Sequence, residues 1–345
     1  MSEFIDIFVI KNTGIIALNR PKALNALDLS MIKTIEIALN NFEQNENING
    51  VLLKSAHKRG FCAGGDIRLI RQQALDGEKD KVEEFFTTEY GLNGKIAKYK
   101  KPLVVLTDGL VMGGGLGLAG HAKYRITTTK SRFAMPEAAI GFVCDCGIDA
   151  ILAKIDRSTA LAFLMGGEVV GAGDALALNL ADCIIDENAV QRIEKNIIDI
   201  FSKEEIEGHL KDLIREENLS DLDTPFIKKT NKCKSAFNKS NAIEVFNSIK
   251  ELSKDNVSAK YFYDKLKKLC PTSLAAIVIS YDKARKTGDV IISLEIDLKM
   301  APFMIFRADF AEGVRAVIVD KDKNPNWQPS NITDVNFGEI YAKLP

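Results

Sequence analysis

The sequence predicts an α/β fold in which short buried strands alternate with helices, followed by a helical C-terminal region. Residues 103–106 form a continuous apolar run typical of a buried strand, and a glycine-rich turn and a helix follow them. The same order of strand, glycine turn and helix occurs around residues 61–66. Charged amphipathic helices dominate beyond about residue 190, so we predict an α/β core at 1–190 and a mostly helical region at 191–345 that packs on it.

The composition is that of an ordinary globular protein. The chain has 345 residues and a net charge of −1, with 46% hydrophobic and 27% charged residues. This balance, without a long basic stripe, argues against a nucleic-acid partner, and no apolar run is long enough to span a bilayer. The first residues lack a basic or Arg-rich targeting segment, so we expect a cytoplasmic protein without a membrane partner.

The cysteines and histidines do not form a metal-binding pattern. Six cysteines are scattered along the chain, and none of the three histidines stands at ligand spacing from a cysteine. We therefore expect reduced thiols and no metal site.

The first elements follow from local patterns. Two apolar runs, at 4–10 and 15–18, flank Lys-Asn-Thr-Gly and predict a hairpin. Asp28 opens an amphipathic helix that runs to about residue 42. A buried strand is predicted at 48–53 and a helix at 67–73, with Asp66 as its entry acid.

The elements that follow are predicted in the same way. A helix is expected at 85–99 and a strand at 124–128, then helices at 148–155 and 158–165 and a last strand at 181–185.

The glycine-rich stretch at 112–117 is a candidate part of an active site. Its glycines allow close approach of the backbone to a bulky group, and the N–H groups at the following helix start suit an anion or a developing oxyanion. Glu137 and Asp145 follow within about one structural unit. Amide donors with carboxylates favour acyl chemistry.

Each of these residues also has a purely structural interpretation. The glycines can be tight turns between strand and helix, and Glu137 can be a first-turn glutamate favoured by the helix dipole. Asp145 can be a turn residue before Gly147, and Glu89 can lie on a solvated helix face.

Several motifs together resemble the crotonase (enoyl-CoA hydratase/isomerase) superfamily. FCAGGD at 61–66 and GLVMGGG at 109–115 resemble its two oxyanion-hole loops, with Lys101-Pro102 and Met135-Pro136-Glu137 at the expected places. FAMPEAAIG at 133–141 followed by Asp145, and DFAEGVRAVIVDK at 309–321, resemble the 3-hydroxyisobutyryl-CoA hydrolase branch.

The resemblance implies a fold and a set of site residues. The fold would be a superhelix of ββα units, and the segment 309–321 would return to the active-site side, in its own chain or a neighbour's. The amides of Gly65 and Gly114 would form the oxyanion hole, and Glu137 and Asp145 would be catalytic. The implied substrate-binding residues are Glu89, Gly114, Glu137, Asp145, Ala63, Gly64 and Asp66.

The resemblance also implies the binding partner. An acyl-CoA is the expected small-molecule substrate, with no cofactor because CoA is part of that substrate. Basic candidates for its phosphates are Arg20, Lys22, Lys58 and Arg59. Assembly into a homo-oligomer is left open.

One missing acid favours hydrolysis over hydration. Hydratases of the superfamily carry a second glutamate at the position of Gly117, and hydration needs both water attack and proton delivery. Hydrolysis of 3-hydroxyisobutyryl-CoA, as in valine degradation, is therefore the predicted reaction. The alternatives are an enoyl-CoA hydratase or isomerase, and a catalytically weak CoA-binding protein.

The branch usually has Pro-Asp-Val-Gly-Gly where this chain has Cys144, Asp145, Cys146, Gly147 and Ile148, which leaves the exact acyl group open.

Overall fold

The computed structural model describes residues 2–220 and 222–345. Nine strands form in these residues, and the main sheet has the order β1-β2-β3-β4-β6-β9. The strands are β1 (Ile5–Ile10), β2 (Thr13–Leu18), β3 (Gly50–Ser55), β4 (Leu103–Thr107), β5 (Leu110–Met112), β6 (Tyr124–Thr128), β7 (Arg132–Ala134), β8 (Val170–Gly171) and β9 (Cys183–Ile185).

The helices outnumber the strands. They are α1 (Leu29–Gln44), α2 (Ile67–Leu75), α3 (Lys79–Ala97), α4 (Gly114–Gly120), α5 (Ile148–Leu152), α6 (Arg157–Gly166), α7 (Ala172–Ala177), α8 (Val190–Ile200), α9 (Ile206–Glu217), α10 (Pro225–Asn231), α11 (Lys234–Phe237), α12 (Ala242–Leu252), α13 (Val257–Leu266), α14 (Pro271–Ala284), α15 (Val290–Ile305), α16 (Ala308–Val314) and α17 (Phe337–Tyr341). Short 3₁₀ helices lie at Pro21–Ala23, Glu137–Ile140, Glu187–Ala189 and Ile332–Asp334, and a π-helical turn at Arg315–Val319.

The predicted hairpin is confirmed. β1 pairs antiparallel with β2, in the register that sets Ile5 opposite Leu18, and Lys11 takes a left-handed conformation in the turn. The other pairs of the main sheet are parallel, which suits the continuous apolar runs of β3 and β4.

The predicted start of α1 is also confirmed. The carboxylate of Asp28 accepts a hydrogen bond from the N–H of Met31 at 2.9 Å, which satisfies one of the free donors of the first turn. α3 begins earlier than predicted, at Lys79, because the charged segment before residue 85 is itself helical.

A second, three-stranded sheet was missed by the sequence analysis. It has the order β5-β7-β8, and its strands are two or three residues long. Runs this short show no periodicity that a sequence pattern can detect. An isolated parallel β-bridge also pairs Cys62, in the loop after β3, with Val111 of β5.

These strands follow one another in a repeated order. β3 is followed by the Cys62 bridge and α2, and β4 by β5 and α4. The mixed α/β architecture with strand–strand–helix turns is as predicted. Beyond residue 190, the regular elements of the described chain are all helical, as the predicted helical C-terminal region requires.

The chain divides into two compact units, each made of three segments. The first contains residues 1–65, 91–133 and 170–224, and the second contains residues 66–90, 134–169 and 225–345. This division differs from a boundary at residue 190, which stays a prediction.

Each unit has its own buried core. Ile15, Leu52 and Val104 of the sheet pack with Ile197 and Phe201 in the first unit. The second unit packs aromatic rings edge to face, as in Phe237 against Phe262. No helix in the described residues is long and apolar enough to cross a membrane.

Candidate active site

Two glycine loops lie side by side in the first unit. Cys62 bridges to Val111, and the N–H of Met112 donates to the carbonyl of Cys62 at 2.9 Å. A Cβ built on Gly64 would lie 3.2 Å from the carbonyl oxygen of Met112 and 3.4 Å from the amide nitrogen of Gly114. Gly64 also has φ +97°, a conformation that side-chain-bearing residues rarely adopt. The approach of the two loops therefore depends on glycine.

The amides of Gly65 and Gly114 are available for a ligand. Gly114 begins α4, so its N–H has no acceptor within the helix. Among the described residues, no backbone hydrogen bond is formed by the N–H of Gly65 or of Gly114. These two N–H groups can stabilise an oxyanion, which is the role predicted for them.

Asn25 holds the first glycine loop in place and was missed by the sequence analysis. Its side-chain amide donates to the carbonyl of Phe61 at 2.8 Å and to the hydroxyl of Ser55 at 3.0 Å. Its side-chain oxygen accepts from the N–H of Arg20 at 2.7 Å. Asn25 is fully buried with a left-handed φ of 57°, and an asparagine within an apolar segment was the available signal.

Asp66 acts as the entry acid of α2, as predicted. Its carboxylate accepts from the N–H of Leu69 at 3.4 Å. Of the basic candidates for the CoA phosphates, Lys22, Lys58 and Arg59 are exposed and Arg20 is half-buried. Substrate binding by these residues, and by Ala63, Gly64 and Asp66, stays a prediction.

The three predicted acids come together in the second unit. Glu89 lies on α3, Glu137 begins a 3₁₀ helix, and Asp145 lies in the loop before α5. They are 3%, 6% and 5% exposed, respectively. A carboxylate oxygen of Glu89, one of Asp145 and the sulfur of Cys146 lie within 4.8 Å of one another. Glu89 is therefore buried beside Asp145 and does not lie on a solvated helix face.

Asp145 is held by contacts that the sequence did not reveal. The hydroxyl of Tyr90 donates to its carboxylate at 2.6 Å. Two residues on, the N–H of Gly147 donates to the carboxylate of Asp297 at 2.8 Å. Their only signals were the adjacency of Tyr90 to Glu89 and a lone aspartate in the apolar sequence of α15.

Glu137 is positioned by packing against α16. A Cβ built on Gly313 would lie 2.5 Å from the carbonyl carbon of Ile140, and one built on Gly141 would lie 2.4 Å from the carbonyl oxygen of Asp309. Backbone thus lies directly on backbone at the short helix that Glu137 begins. The segment 309–321 does return to this side of the site, within its own chain.

Burial and the charges of neighbouring acids govern the pKa values of the three acids. Burial, and then the charge of Asp145, raise the pKa of Glu137 well above its usual value. The pKa of Glu89 is raised by burial and by both other acids. Burial raises the pKa of Asp145 to about 6, while the hydrogen bond from Tyr90 opposes that rise. The charged groups that act on Glu89 and Glu137 are themselves acids, so each of them disfavours ionisation of the others.

Cys144 also contacts the catalytic candidates. Its thiol donates to Glu137 at 3.5 Å, and burial raises the pKa of this thiol well above its usual value. Glu89, Asp145 and Cys146 together could ligate a cation. The expectation that the protein has no metal site stays a prediction.

The position of Gly117 carries no acid, as noted from the sequence. Gly117 lies inside α4 and is buried. No carboxylate therefore stands at this position of α4. The acids that interact with Glu137 through their charges are Asp145 and Glu89.

Comparison with known proteins identifies relatives. The family model for enoyl-CoA hydratase/isomerase matches residues 13–343. The mitochondrial 3-hydroxyisobutyryl-CoA hydrolase of Danio rerio is 34% identical over 94% of this chain and 84% of its own length. The Homo sapiens protein of the same name is 34% identical over 95% of this chain and 85% of its own length.

Solved structures share the fold. A carnitinyl-CoA dehydratase from Mycobacterium thermoresistibile is 26% identical, with a TM-score of 0.90 over 100% of this chain and 97% of its own. An enoyl-CoA hydratase from Rhodobacter sphaeroides is 26% identical, with a TM-score of 0.88 over 99% of this chain and 97% of its own. The predicted crotonase-type fold is confirmed by these similarities.

Proposed function

The chain belongs to the enoyl-CoA hydratase/isomerase family, and we propose that within it the protein hydrolyses 3-hydroxyisobutyryl-CoA to 3-hydroxyisobutyrate and CoA. The observation that carries this proposal is the buried group of Glu137, Asp145 and Glu89, with no acid at Gly117. The hydrolase names of the relatives from Danio rerio and Homo sapiens support the same substrate. The reaction would be a step of valine degradation.

Thioester hydrolysis needs a stabilised oxyanion. When a nucleophile adds to the acyl carbon, the carbonyl oxygen becomes negatively charged, and two preorganised N–H donors lower the energy of that state. In our proposal the amides of Gly65 and Gly114 are these donors. Because these N–H groups have no backbone acceptor in the described part of the chain, no backbone hydrogen bond there has to break when the substrate arrives.

Glu137 would supply the nucleophile, either by taking a proton from water or by attacking the acyl carbon to form a mixed anhydride. A carboxyl with a raised pKa is a stronger base once ionised, which favours abstraction of a proton from water. The two routes differ in labelling. A single turnover in ¹⁸O-water labels the carboxylate of Glu137 only if the anhydride forms.

Asp145 would hold the 3-hydroxyl group of the substrate or assist protonation of the leaving thiolate. Its fixed contact with Tyr90 leaves it oriented before the substrate binds. Glu89, one of whose carboxylate oxygens is buried without a hydrogen-bond partner in the described part of the chain, would accept a hydrogen bond from the substrate. No resident cofactor is needed for this chemistry.

The test is thiol release from 3-hydroxyisobutyryl-CoA, run beside crotonyl-CoA with its enoyl absorbance followed. We expect thiol release from 3-hydroxyisobutyryl-CoA and no loss of the enoyl absorbance of crotonyl-CoA. Glu137→Gln should abolish turnover and spare CoA binding, whereas Glu295→Gln, an exposed glutamate on α15, should leave turnover unchanged. Full turnover by Glu137→Gln would contradict the proposal.

Hydration of an enoyl-CoA is the second candidate, favoured by the structural similarity to the Rhodobacter sphaeroides enoyl-CoA hydratase. Loss of enoyl absorbance without thiol release would establish it. If neither signal appears with a panel of acyl-CoAs, while CoA still binds, the protein would be a CoA-binding protein that keeps the fold.

Location and assembly are further proposals. We propose a cytoplasmic location for this protein, whereas the relatives from Danio rerio and Homo sapiens are named as mitochondrial. Cell fractionation tests this proposal. Whether copies of the chain form a homo-oligomer is settled by light scattering.

A further inference from the structure

The turn that carries Asp145 has an unfavourable backbone. Cys146 has φ +60° and Gly147 has φ +71°, so two consecutive residues are left-handed. A side-chain-bearing residue seldom adopts this conformation unless its surroundings hold it there. Cys146 is only 1% exposed, and the turn leads directly into α5. Something must therefore fix this turn from within the protein.

Asp297 supplies that contact. It lies on α15, 150 residues away along the chain, and its carboxylate accepts from the N–H of Gly147 at 2.8 Å. The side chain is 1% exposed on a helix whose neighbouring residues are mostly apolar. An apolar side chain at this position would leave the Gly147 N–H without a partner in the interior.

The contact bears on Asp145 because both ends of this short segment are then fixed. The Tyr90 hydroxyl holds the carboxylate of Asp145 directly, and Asp297 holds the backbone two residues further on. If either hydrogen bond is lost, the turn can move and the carboxylate of Asp145 is no longer held in one direction. A misplacement of about 1 Å in a reacting group is enough to lower a rate by roughly 10²-fold.

Other titratable groups lie near Asp145 or Asp297. They are Glu89 and Tyr90 from α3, Glu137 from its 3₁₀ helix, Cys144 and Cys146 from the loop, Asp149 from α5 and Asp297 from α15. All of them are neutral or negative. Burial, and then the charges of Asp149 and Asp145, raise the pKa of Asp297 well above its usual value. Asparagine has nearly the same shape as aspartate and keeps an acceptor oxygen, so it is a close substitute at this position.

We propose that Asp297 is a positioning residue for Asp145, acting through the N–H of Gly147. The proposal rests on the function proposed above, because it assigns Asp145 a part in turnover. Asp297 does not need to contact the substrate for this role.

Three variants of the full chain test it. Asp297→Asn keeps an acceptor for Gly147, Asp297→Leu removes it, and Ile296→Ala loosens the same buried helix while keeping Asp297. We expect Asp297→Leu to lose roughly 10–10²-fold in kcat with little change in KM. Asp297→Asn should keep most of the wild-type kcat, and Ile296→Ala should lower the Tm but not kcat.

The pH profile and hydrogen exchange give independent readouts. In Asp297→Asn the acceptor for Gly147 is kept, so the activity limb that follows ionisation of Asp145 should stay at the wild-type pH. Hydrogen exchange of the peptide containing Gly147, measured without substrate, should speed up in Asp297→Leu and not in Asp297→Asn.

The outcomes separate the two proposals. If wild type releases no thiol, the proposed function fails, while the exchange measurement still tests the contact. If Asp297→Leu keeps the kcat and the exchange rate of wild type, or if Asp297→Asn is as impaired as Asp297→Leu at equal Tm, the positioning role is overturned.

Discussion

The hydroxyl of Tyr90 donates a hydrogen bond of 2.6 Å to the carboxylate of Asp145, and both side chains are buried. The bond favours the ionised form of Asp145 and opposes the effect of burial, which raises its pKa to about 6. Tyr90, which follows Glu89 in the chain, therefore lowers the pKa of Asp145 relative to the effect of burial alone.

Tyr90→Phe should move the pH dependence of turnover upward. Without the hydroxyl donor the pKa of Asp145 rises further, so the activity limb that requires its ionised form shifts to higher pH. Tyr281→Phe is the matched control, because its buried hydroxyl donates to the carbonyl of Leu152 at 3.2 Å instead. An unshifted limb in Tyr90→Phe would contradict the role assigned to this bond.

The contribution of Asp145 to stability should fall as the pH rises from about 4 to about 6. The folded pKa of Asp145 lies above the usual 3.8, so the native state binds more protons than the unfolded state in this window. The contribution of this group is present below pH 4 and is lost as the pH rises through about 6, by about 3 kcal/mol in all.

Urea unfolding of wild type and Asp145→Asn at several pH values measures this loss. Asparagine cannot ionise, so the difference in the free energy of unfolding between the two proteins should change across the window, to the disadvantage of wild type at high pH. A difference independent of pH would mean that Asp145 titrates normally.

Gly64→Ala should impair catalysis through the glycine loops. Its added Cβ would approach the carbonyl of Met112 and the amide of Gly114, and an oxyanion site that loses one donor typically loses about 10²–10³ in kcat. Gly77→Ala is the control, because it has a comparable left-handed φ of 73° with no atom within 4 Å of the added Cβ. Equal kcat values for the two variants would argue against an oxyanion role for this loop.

Gly313→Ala should loosen the helix that begins with Glu137. The methyl group would lie 2.5 Å from the carbonyl carbon of Ile140, and overpacking of this kind costs about 1–3 kcal/mol. Thermal unfolding and thiol release should both show a loss. Gly208→Ala, in α9 with open space around the added Cβ, should instead gain about 0.4–1 kcal/mol. A Tm for Gly313→Ala as high as that of Gly208→Ala would mean that α16 can shift away.

Local signals in the sequence predicted much of the fold. The hairpin β1–β2, the cap at Asp28 and the entry acid Asp66 depend on residues within a few positions of one another, so they can be identified from the sequence alone. The three strands of the small sheet could not be identified, because two or three residues carry no pattern.

By itself the sequence determined the family motifs, the glycine loops and the identity of Glu89, Glu137 and Asp145 as candidate acids. Only the tertiary structure decided their surroundings. Tyr90 and Asp145 are 55 residues apart, and Gly147 and Asp297 are 150 apart. Chain segments so distant in sequence meet only when the apolar surfaces of their helices pack together. The burial that follows from this packing is also what raises the pKa values of the acids.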